Sequence, residues 1–313
     1  MLPRSRVAAI LLTGLGTALL AAGLLLPRSI SSEPALPASL PHTTLVMLDD
    51  AGVSTRILPD GTREEVDSPL RRQFHAEFIP PADDGVQSMR VGSSLTRGDG
   101  ELVSALVWTF TVDRLTGLPT GPAQLSTQPV DVDQQIDMGG SWVKFPAGAE
   151  ERTYPVFDEQ MRGPVDAVFV GDEDRNGTRI LHYRQEIPDA NLAQRYDAID
   201  STYDVDGKRG FLHYSGTRDW WVEPRSGLVV DLAEDTETWW ETADGERLAT
   251  QERFAGTMPR EVTDAQMAQA ADIADTPATR PWGIALVVIG AIVAVAGAAG
   301  VLRPGRRGDR DGE

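Results

Sequence analysis

The sequence predicts a mainly β protein, an α+β fold in which a large extracytoplasmic β-rich domain is held between two terminal transmembrane helices. Three observations support this prediction. Charge-free apolar segments lie near both ends of the 313-residue chain, arginines flank the outer side of each segment, and the region between them alternates short apolar stretches with turn residues.

The first apolar segment, residues 7–26, has the ~20 residues that a helix needs to cross the hydrocarbon core of a bilayer. It follows Arg4 and Arg6. A cleaved signal peptide is the alternative, but its apolar region usually spans roughly 7–15 residues and ends at a small-residue site. Here the segment is longer, and Pro27 and Arg28 follow it. An uncleaved transmembrane anchor is therefore predicted.

The second apolar segment, residues 282–302, opens with an interfacial tryptophan, Trp282, and ends at Arg303. Positive residues next to a span favour the cytoplasmic side of a membrane. Both short ends, residues 1–6 and the basic tail 303–313, are therefore predicted to be cytoplasmic. The chain is predicted to be a two-pass plasma-membrane protein whose central domain is extracytoplasmic.

Small residues recur at helical spacing in both predicted spans. They are Gly14, Ala18 and Ala22 in the first span, and Gly290, Ala294 and Ala298 in the second. Such stripes permit close helix packing in lipid. They indicate either that the two spans pair, or that copies of the chain form a homo-oligomer. The other interpretation is that alanine and glycine are simply abundant in these segments.

The central region is strongly acidic. Residues 28–281 contain 23 basic and 44 acidic residues, a net charge of −21. This charge repels nucleic acid, so nucleic-acid binding is excluded as a function class. The chain has no cysteine, which excludes disulfides, thiolate zinc sites and thiol catalysis.

Between the spans we predict a stalk over residues 27–41, a β-rich domain over 42–260, and a juxtamembrane helix and linker over 261–281. A helix over 264–274 has Thr263 as its N-cap and would serve as a spacer at the bilayer surface. A second helix is predicted over 189–199. The predicted strands cover residues 43–48, 54–58, 102–112, 165–170, 178–187, 210–214, 219–222, 228–233, 236–242 and 246–254.

One segment matches the start of a calcium-binding loop. Asp172, Asp174 and Asn176 stand at alternate positions before Gly177, and their oxygens could converge on a calcium ion. However, the twelfth position of the loop is Tyr183, where a bidentate glutamate is expected. A solvated hairpin turn is the favoured interpretation, and no other cofactor is indicated.

Catalytic motifs are missing from the sequence. The four histidines show no metal-ligand spacing, and no nucleophile elbow, phosphate-binding loop, dinucleotide fingerprint or zinc-protease motif occurs. The protein is therefore predicted not to be an enzyme.

Two tryptophan pairs, Trp220-Trp221 and Trp239-Trp240, lie on predicted strands. Neighbouring residues on a strand face opposite sides, so only one of each pair can enter a single core. The pairs could form an apolar surface that binds lipid or the bilayer interface. The favoured interpretation is that both faces are buried under a second layer.

Several motifs resemble those of the actinobacterial PorA-type porin family. The resemblance rests on Lys144-Phe145-Pro146, on residues 153–158 and on the strand 178–187, and it extends over essentially the whole chain. It implies a channel. Tyr154, Phe157 and Tyr183-Arg184 give a more distant architectural similarity to class B scavenger receptors, which bind or conduct lipids.

These features together predict a non-enzymatic cell-envelope membrane protein whose acidic ectodomain binds an apolar or lipid ligand, or an envelope partner protein. The alternative, which follows from the family resemblance, is a porin-like pore or transport component formed by oligomerisation.

Overall fold

A computed structural model describes residues 4–29, 35–37, 39–83, 85–127, 134–198, 201–274 and 279–302. The chain divides into two compact units. One consists of residues 34–275, and the other of the terminal segments 1–33 and 276–313. The predicted basic tail 303–313, residues 1–3 of the predicted cytoplasmic end, and parts of the predicted stalk and linker lie outside the described residues.

The unit of residues 34–275 is built on one antiparallel sheet, in which fifteen strands are described. The predicted mainly β class is confirmed. The strands are β1 (Thr44–Asp49), β2 (Val53–Ile57), β3 (Arg63–Asp67), β4 (Leu70–Asp83), β5 (Val86–Arg97), β6 (Leu102–Asp113), β7 (Ala123–Thr127), β8 (Gln134–Ile136), β9 (Tyr154–Asp158), β10 (Gly163–Arg175), β11 (Thr178–Asn191), β12 (Thr202–Val205), β13 (Lys208–Val222), β14 (Val229–Glu241) and β15 (Arg247–Thr257).

The strand order is β8-β7-β6-β5-β4-β1-β15-β14-β13-β11-β10-β9, with β12 beside β13 and the β2–β3 pair beside β15. Strands that lie far apart in this order contact each other in one core, which shows that the sheet is curled. Trp108 of β6 lies 5.1 Å from Phe157 of β9, measured between ring centroids. Trp142, from the segment between β8 and β9, packs edge-on against both rings. The curled sheet therefore encloses an apolar interior.

Helix α3 (Arg260–Ala274) packs into this interior. Its residues Ala270 and Ile273 are buried in the same apolar cluster as Trp108. The helix begins at Arg260, earlier than predicted, because Pro259 starts the turn and the predicted N-cap Thr263 donates its N–H to the Pro259 carbonyl. Since its apolar face contacts the core, α3 belongs to the β-rich unit. A role as a spacer at the bilayer surface stays a prediction.

The predicted helix over 189–199 is wrong for most of its described length. Strand β11 continues to Asn191, and only α2 (Leu192–Arg195) is helical; residue 199 lies outside the described residues. Tertiary pairing explains the difference, since Ala190 and Asn191 pair with β13 after a bulge.

The two predicted strands over 210–214 and 219–222 are one strand, β13. Gly216 separates them in the sequence pattern, but it continues the ladder. Its φ of 156° lies in a region that residues with a side chain rarely adopt. A Cβ at this position would lie 2.7 Å from the Thr236 Cα of the neighbouring strand, so glycine permits a close approach of two backbones.

The terminal unit contains two paired helices, α1 (Arg4–Ser29) and α4 (Thr279–Leu302). Residues Val7–Leu25 of α1 are long and apolar enough to cross a membrane, with a mean hydropathy of 2.1. The corresponding stretch of α4, Ile284–Gly300, is shorter. The chain thus has the predicted N-terminal apolar helix and an apolar helix near its C-terminus.

Glycines on both helices make the contact between α1 and α4. A Cβ on Gly16 would meet the backbone of Ala294 and lie 2.7 Å from the Gly290 carbonyl oxygen, and one on Gly290 would lie 2.7 Å from the Leu20 nitrogen. Of the predicted packing residues, Gly290 and Ala294 take part in this contact. Gly14, Ala18, Ala22 and Ala298 are exposed. The contact face of α1 therefore differs from the predicted stripe.

Gly16→Leu is expected to separate the two helices, because its side chain would overlap the Ala294 backbone. Gly14→Leu is the matched control, since a Cβ there has no atom within 4 Å. The reporter is a disulfide between Ala9→Cys and Gly300→Cys. Because the chain has no other cysteine, this is the one intramolecular disulfide that can form. We expect efficient intramolecular cross-linking in the parent and in Gly14→Leu, and little in Gly16→Leu. Equal cross-linking in all three would contradict the observed contact face.

Candidate functional site

The interior of the β-rich unit contains an apolar cavity of about 90 Å³. Alternation along the strands explains its walls, because every second residue of a strand faces the same side. Its lining comes from β1, β4, β5, β13, β14, α3, the segments before β1, β9 and β14, and the residue after β9. The lining side chains include Leu36, Leu40, Leu45, Phe74, Ala76, Phe78, Met89, Val91, Trp142, Trp220, Leu228, Val229 and Leu232.

One edge of the cavity is held by two buried glutamines of α3. Gln266 and Gln269 each donate a side-chain N–H to the carbonyl oxygen of His42, at 3.1 and 3.0 Å. The His42 backbone N–H donates in turn to Gln269 Oε1 at 2.9 Å. These bonds tie α3 to the segment that precedes β1.

The cavity also contains charged groups, although it is largely apolar. Arg218 and Glu234 line it and pair with each other while fully buried. Arg218 also donates to Asp158 Oδ2 at 2.8 Å. Arg72 joins this network by pairing with Glu234 and Glu252. Burial favours a higher pKa for Glu234, but the two guanidinium groups outweigh it and lower the pKa below its ordinary value.

Glu159 is the most unusual group at the cavity. It follows β9, is 8% exposed and lines the cavity. Its Oε1 accepts a hydrogen bond from the Ser93 hydroxyl at 3.0 Å, whereas its Oε2 is buried and has no hydrogen-bond partner among the described residues. Burial raises the pKa of Glu159 to about 7, because the charged form loses its hydration.

Glu159→Gln is expected to flatten the pH dependence of stability. The folded state raises the pKa of this carboxyl from 4.5 to about 7, so folded protein binds the proton more tightly than the unfolded chain. This contribution is complete below the unfolded pKa and is lost as pH rises through the folded pKa, by at most ~3 kcal/mol.

The measurement is chemical unfolding of full-length wild type and Glu159→Gln at about pH 5 and about pH 8, values chosen to bracket the transition. Wild type should lose more stability than the variant between the two conditions. Equal losses would contradict the shifted pKa.

The four predicted tryptophans do not form one surface. Trp220 lines the cavity and donates its indole N–H to Gln185 at 2.8 Å. Trp221 is half-buried and stacks on His182, with ring centroids 4.6 Å apart. Trp239 and Trp240 are both buried. Of these four tryptophans, only Trp220 lines the cavity that could hold an apolar ligand.

The predicted calcium-loop residues lie at the β10–β11 hairpin. Asn176 and Gly177 have positive φ and form its turn. Asp174 accepts the Gly177 N–H at 2.9 Å, and Asp172 accepts from Arg179 Nε at 2.8 Å. Hairpin geometry accounts for all three residues, and calcium binding by Asp172, Asp174 and Asn176 stays a prediction.

A different trio offers metal-ligand atoms. Asp189, His213 and Glu241 hold their ligand atoms within 4.8 Å of one another. They come from β11, β13 and β14, which are adjacent in the sheet, so sequence spacing gives no signal for them. Two of the ligand groups already have partners, because His213 Nδ1 contacts Asp189 at 2.7 Å and Glu241 accepts the Trp239 indole N–H at 2.8 Å.

The charged residues of the cavity and of the ion-pair network beside it were not predicted. Arg72, Asp158, Glu159, Arg218 and Glu234 stand among many exposed charges of the same types in an acidic chain. A signal does exist for Arg218 and Trp220, which are two residues apart on one strand and therefore share a face. Reading that alternation requires the register of the strand, which the pairing with β14 provides.

Comparison with known proteins identifies the family. The family model described as Porin PorA matches residues 8–299. A Porin PorA of Corynebacterium amycolatum is 29% identical over 158 residues, which cover 45% of this chain and 39% of that protein. A Porin PorA of Corynebacterium resistens is 27% identical over 155 residues, covering 45% of this chain and 37% of that protein. The chain thus aligns with well under half the length of these curated relatives. Because the family model spans nearly all of it, the chain belongs to the porin PorA family.

Proposed function

We propose that this protein is a two-pass membrane protein of the cell envelope that acts as a pore or transport component formed by several copies. The observation that carries this proposal is the family match over residues 8–299, which includes the apolar cores of both helices. The corynebacterial relatives are named porins. The proposed activity is non-enzymatic.

Helix packing supports the need for several copies. Gly16 of α1 and Gly290 of α4 bring the two backbones into direct contact, so no space for a solute lies between them. A conducting path would therefore have to form between chains. The exposed stripe of Gly14, Ala18 and Ala22 is proposed to contact another copy.

Conductance of planar bilayers containing purified full-length protein tests the pore. We expect reproducible discrete channels, and we expect Gly14→Leu to reduce their frequency while the α1–α4 cross-link still forms. An Ala18→Cys variant should yield disulfide-linked dimers. An absence of conductance at protein concentrations where these dimers form would contradict the proposed pore.

The proposed topology has residues 1–6 and 303–313 in the cytoplasm, spans at 7–26 and 282–302, and the domain 42–260 outside. The flanking arginines support it. Because the chain lacks cysteine, single cysteines report their own location. A membrane-impermeant maleimide should label Thr62→Cys in intact cells, but Gly308→Cys only after permeabilisation. The reverse labelling pattern would show that the chain has the opposite orientation in the membrane.

A second candidate function is binding of an apolar ligand, such as part of a lipid, by the β-rich domain; an envelope protein is the other proposed partner. The cavity favours the ligand, since its walls are mostly apolar and it contains Trp220. Native mass spectrometry of full-length protein released from nanodiscs should show a bound ligand. Val229→Phe should abolish this binding. Val168→Phe should not, because the Val168 side chain is exposed. Equal occupancy in both variants would contradict the cavity as the site.

A further inference from the structure

Glu159, which lines the cavity, has one buried side-chain oxygen without a hydrogen-bond donor among the described residues. Glu159 Oε2 is buried and has no hydrogen-bond partner among the described residues, while Oε1 is engaged by Ser93. A buried acceptor without a donor costs free energy, so native structures usually supply a partner. A carboxylate oxygen accepts hydrogen bonds, so the group that would complete it is a donor.

The charges around Glu159 indicate which kind of donor fits. The network contains two guanidinium groups, Arg72 and Arg218, and the carboxyl groups of Asp158, Glu159, Glu234 and Glu252. Arg72 pairs with Glu234 and Glu252, and Arg218 pairs with Glu234 and Asp158. Both arginines are thus committed to other carboxylates. A cationic donor would reduce the excess of negative charge, and an anion would increase it.

The remaining walls suit an alkyl group. Trp220, Leu232, Phe74 and Trp142 line the same cavity as Glu159. The volume of about 90 Å³ has room for a short alkyl chain. Burying such a chain is favourable because it removes apolar surface from water.

We propose that this cavity binds a short-chain primary amine, or the amine-bearing end of a larger amphiphile. The ammonium group donates to the Glu159 carboxylate, and the alkyl part packs against Trp220 and Leu232. This inference rests on the second candidate function, the binding of an apolar ligand by the cavity.

The site should depend on pH. The charged and polar groups that face Glu159 are Arg72 from β4, Ser93 from β5, Arg218 from β13 and Glu234 from β14; His42 lies at the cavity edge. Since the pKa of Glu159 is about 7, the carboxyl loses its proton near neutrality. Amine binding should therefore strengthen as pH rises from about 6 to about 8, where the carboxylate becomes the main species.

The test uses full-length protein in nanodiscs and three probes that share one alkyl chain: n-butylamine, n-butanol and butyrate. Affinities come from titration of tryptophan fluorescence, with empty nanodiscs as the blank. Infrared difference spectra follow the C=O band of the protonated carboxyl, and assignment to Glu159 comes from loss of the band in Glu159→Gln.

We expect butylamine to bind at least about tenfold more tightly than butyrate, as suits a charge-assisted hydrogen bond, and to remove the carboxyl band. Glu159→Gln should abolish this preference. Glu252→Gln is the matched control, because it removes a carboxylate of the same network that does not line the cavity; it should retain the preference.

Two results would overturn the inference, and they differ in what else they overturn. If butanol binds but butylamine shows no preference, or if Glu159→Gln keeps the preference, the amine site is wrong and the apolar cavity function stands. If none of the three probes binds, both the amine site and the apolar cavity function are wrong.

Discussion

Arg218→Met is expected to lower the free energy of unfolding of the β-rich unit by about 3–5 kcal/mol, the range found when one partner of a buried ion pair is removed. Arg218 is 4% exposed. It donates to Asp158 Oδ2 at 2.8 Å and pairs with Glu234, and the side chains of both carboxylates are fully buried. Methionine replaces much of the volume but leaves Asp158 without its cation. Denaturant unfolding of full-length protein, followed by far-ultraviolet circular dichroism, measures the loss.

Arg184→Met is the matched control for this prediction. Arg184 lies on the neighbouring strand β11 and pairs with Asp219 through two hydrogen bonds of 2.9 and 3.0 Å. Its side chain is 47% exposed, so water can replace the ion pair, and the expected cost is about 0–1 kcal/mol. Equal unfolding midpoints for the two variants would show that burial does not set the cost of losing the cation.

Trp108→Ala is expected to be comparably damaging, with a loss of about 3–5 kcal/mol, as is typical when a buried tryptophan is truncated in a packed core. Trp108 is fully buried. Its ring packs edge-on at 5.1 Å from Phe157 and at 5.9 Å from Trp142. Because these contacts join strands from distant parts of the sheet order, the cavity left by truncation has few routes to collapse. The same unfolding measurement applies.

Two further tryptophan variants control this result. Trp221→Ala should cost well under half as much, because Trp221 is half-buried and stacks on His182 near the surface. Trp108→Phe should recover most of the lost stability, since the Trp108 indole N–H has no hydrogen-bond partner among the described residues. A Trp108→Phe variant as unstable as Trp108→Ala would mean that the indole, and not ring packing, stabilises this core.

Periodicity and turn residues predict the β class and many of the strands, because their alternation is local. The strand over 102–112, for example, differs from β6 by one residue. The hairpin of β4 and β5 was not predicted. Pro80 and Pro81 interrupt the strand pattern of β4. Arginine is typical of an exposed position, so the buried side chain of Arg72 could not be predicted without its partners Glu234 and Glu252. Those partners are more than a hundred residues away in sequence.

The candidate site was less predictable than the fold for the same reason. Local patterns indicated a calcium site at Asp172 and Asp174, which lie on a hairpin. The cavity is made by residues that the curl of the sheet brings together, and Glu159 gives no sequence signal of its own. Trp220 could be singled out from its type, but its position at the cavity follows only from strand register.

The place of β1 in the sheet has a consequence for how the chain folds. Although β1 comes first in sequence, it lies between β4 and β15, and Leu48 pairs with Thr257. The centre of the sheet cannot form until residues near the end of the domain have emerged. Such high contact order implies slow folding. An open hairpin edge would be exposed meanwhile, so a nascent chain arrested before β15 should depend on chaperones until its last strand arrives.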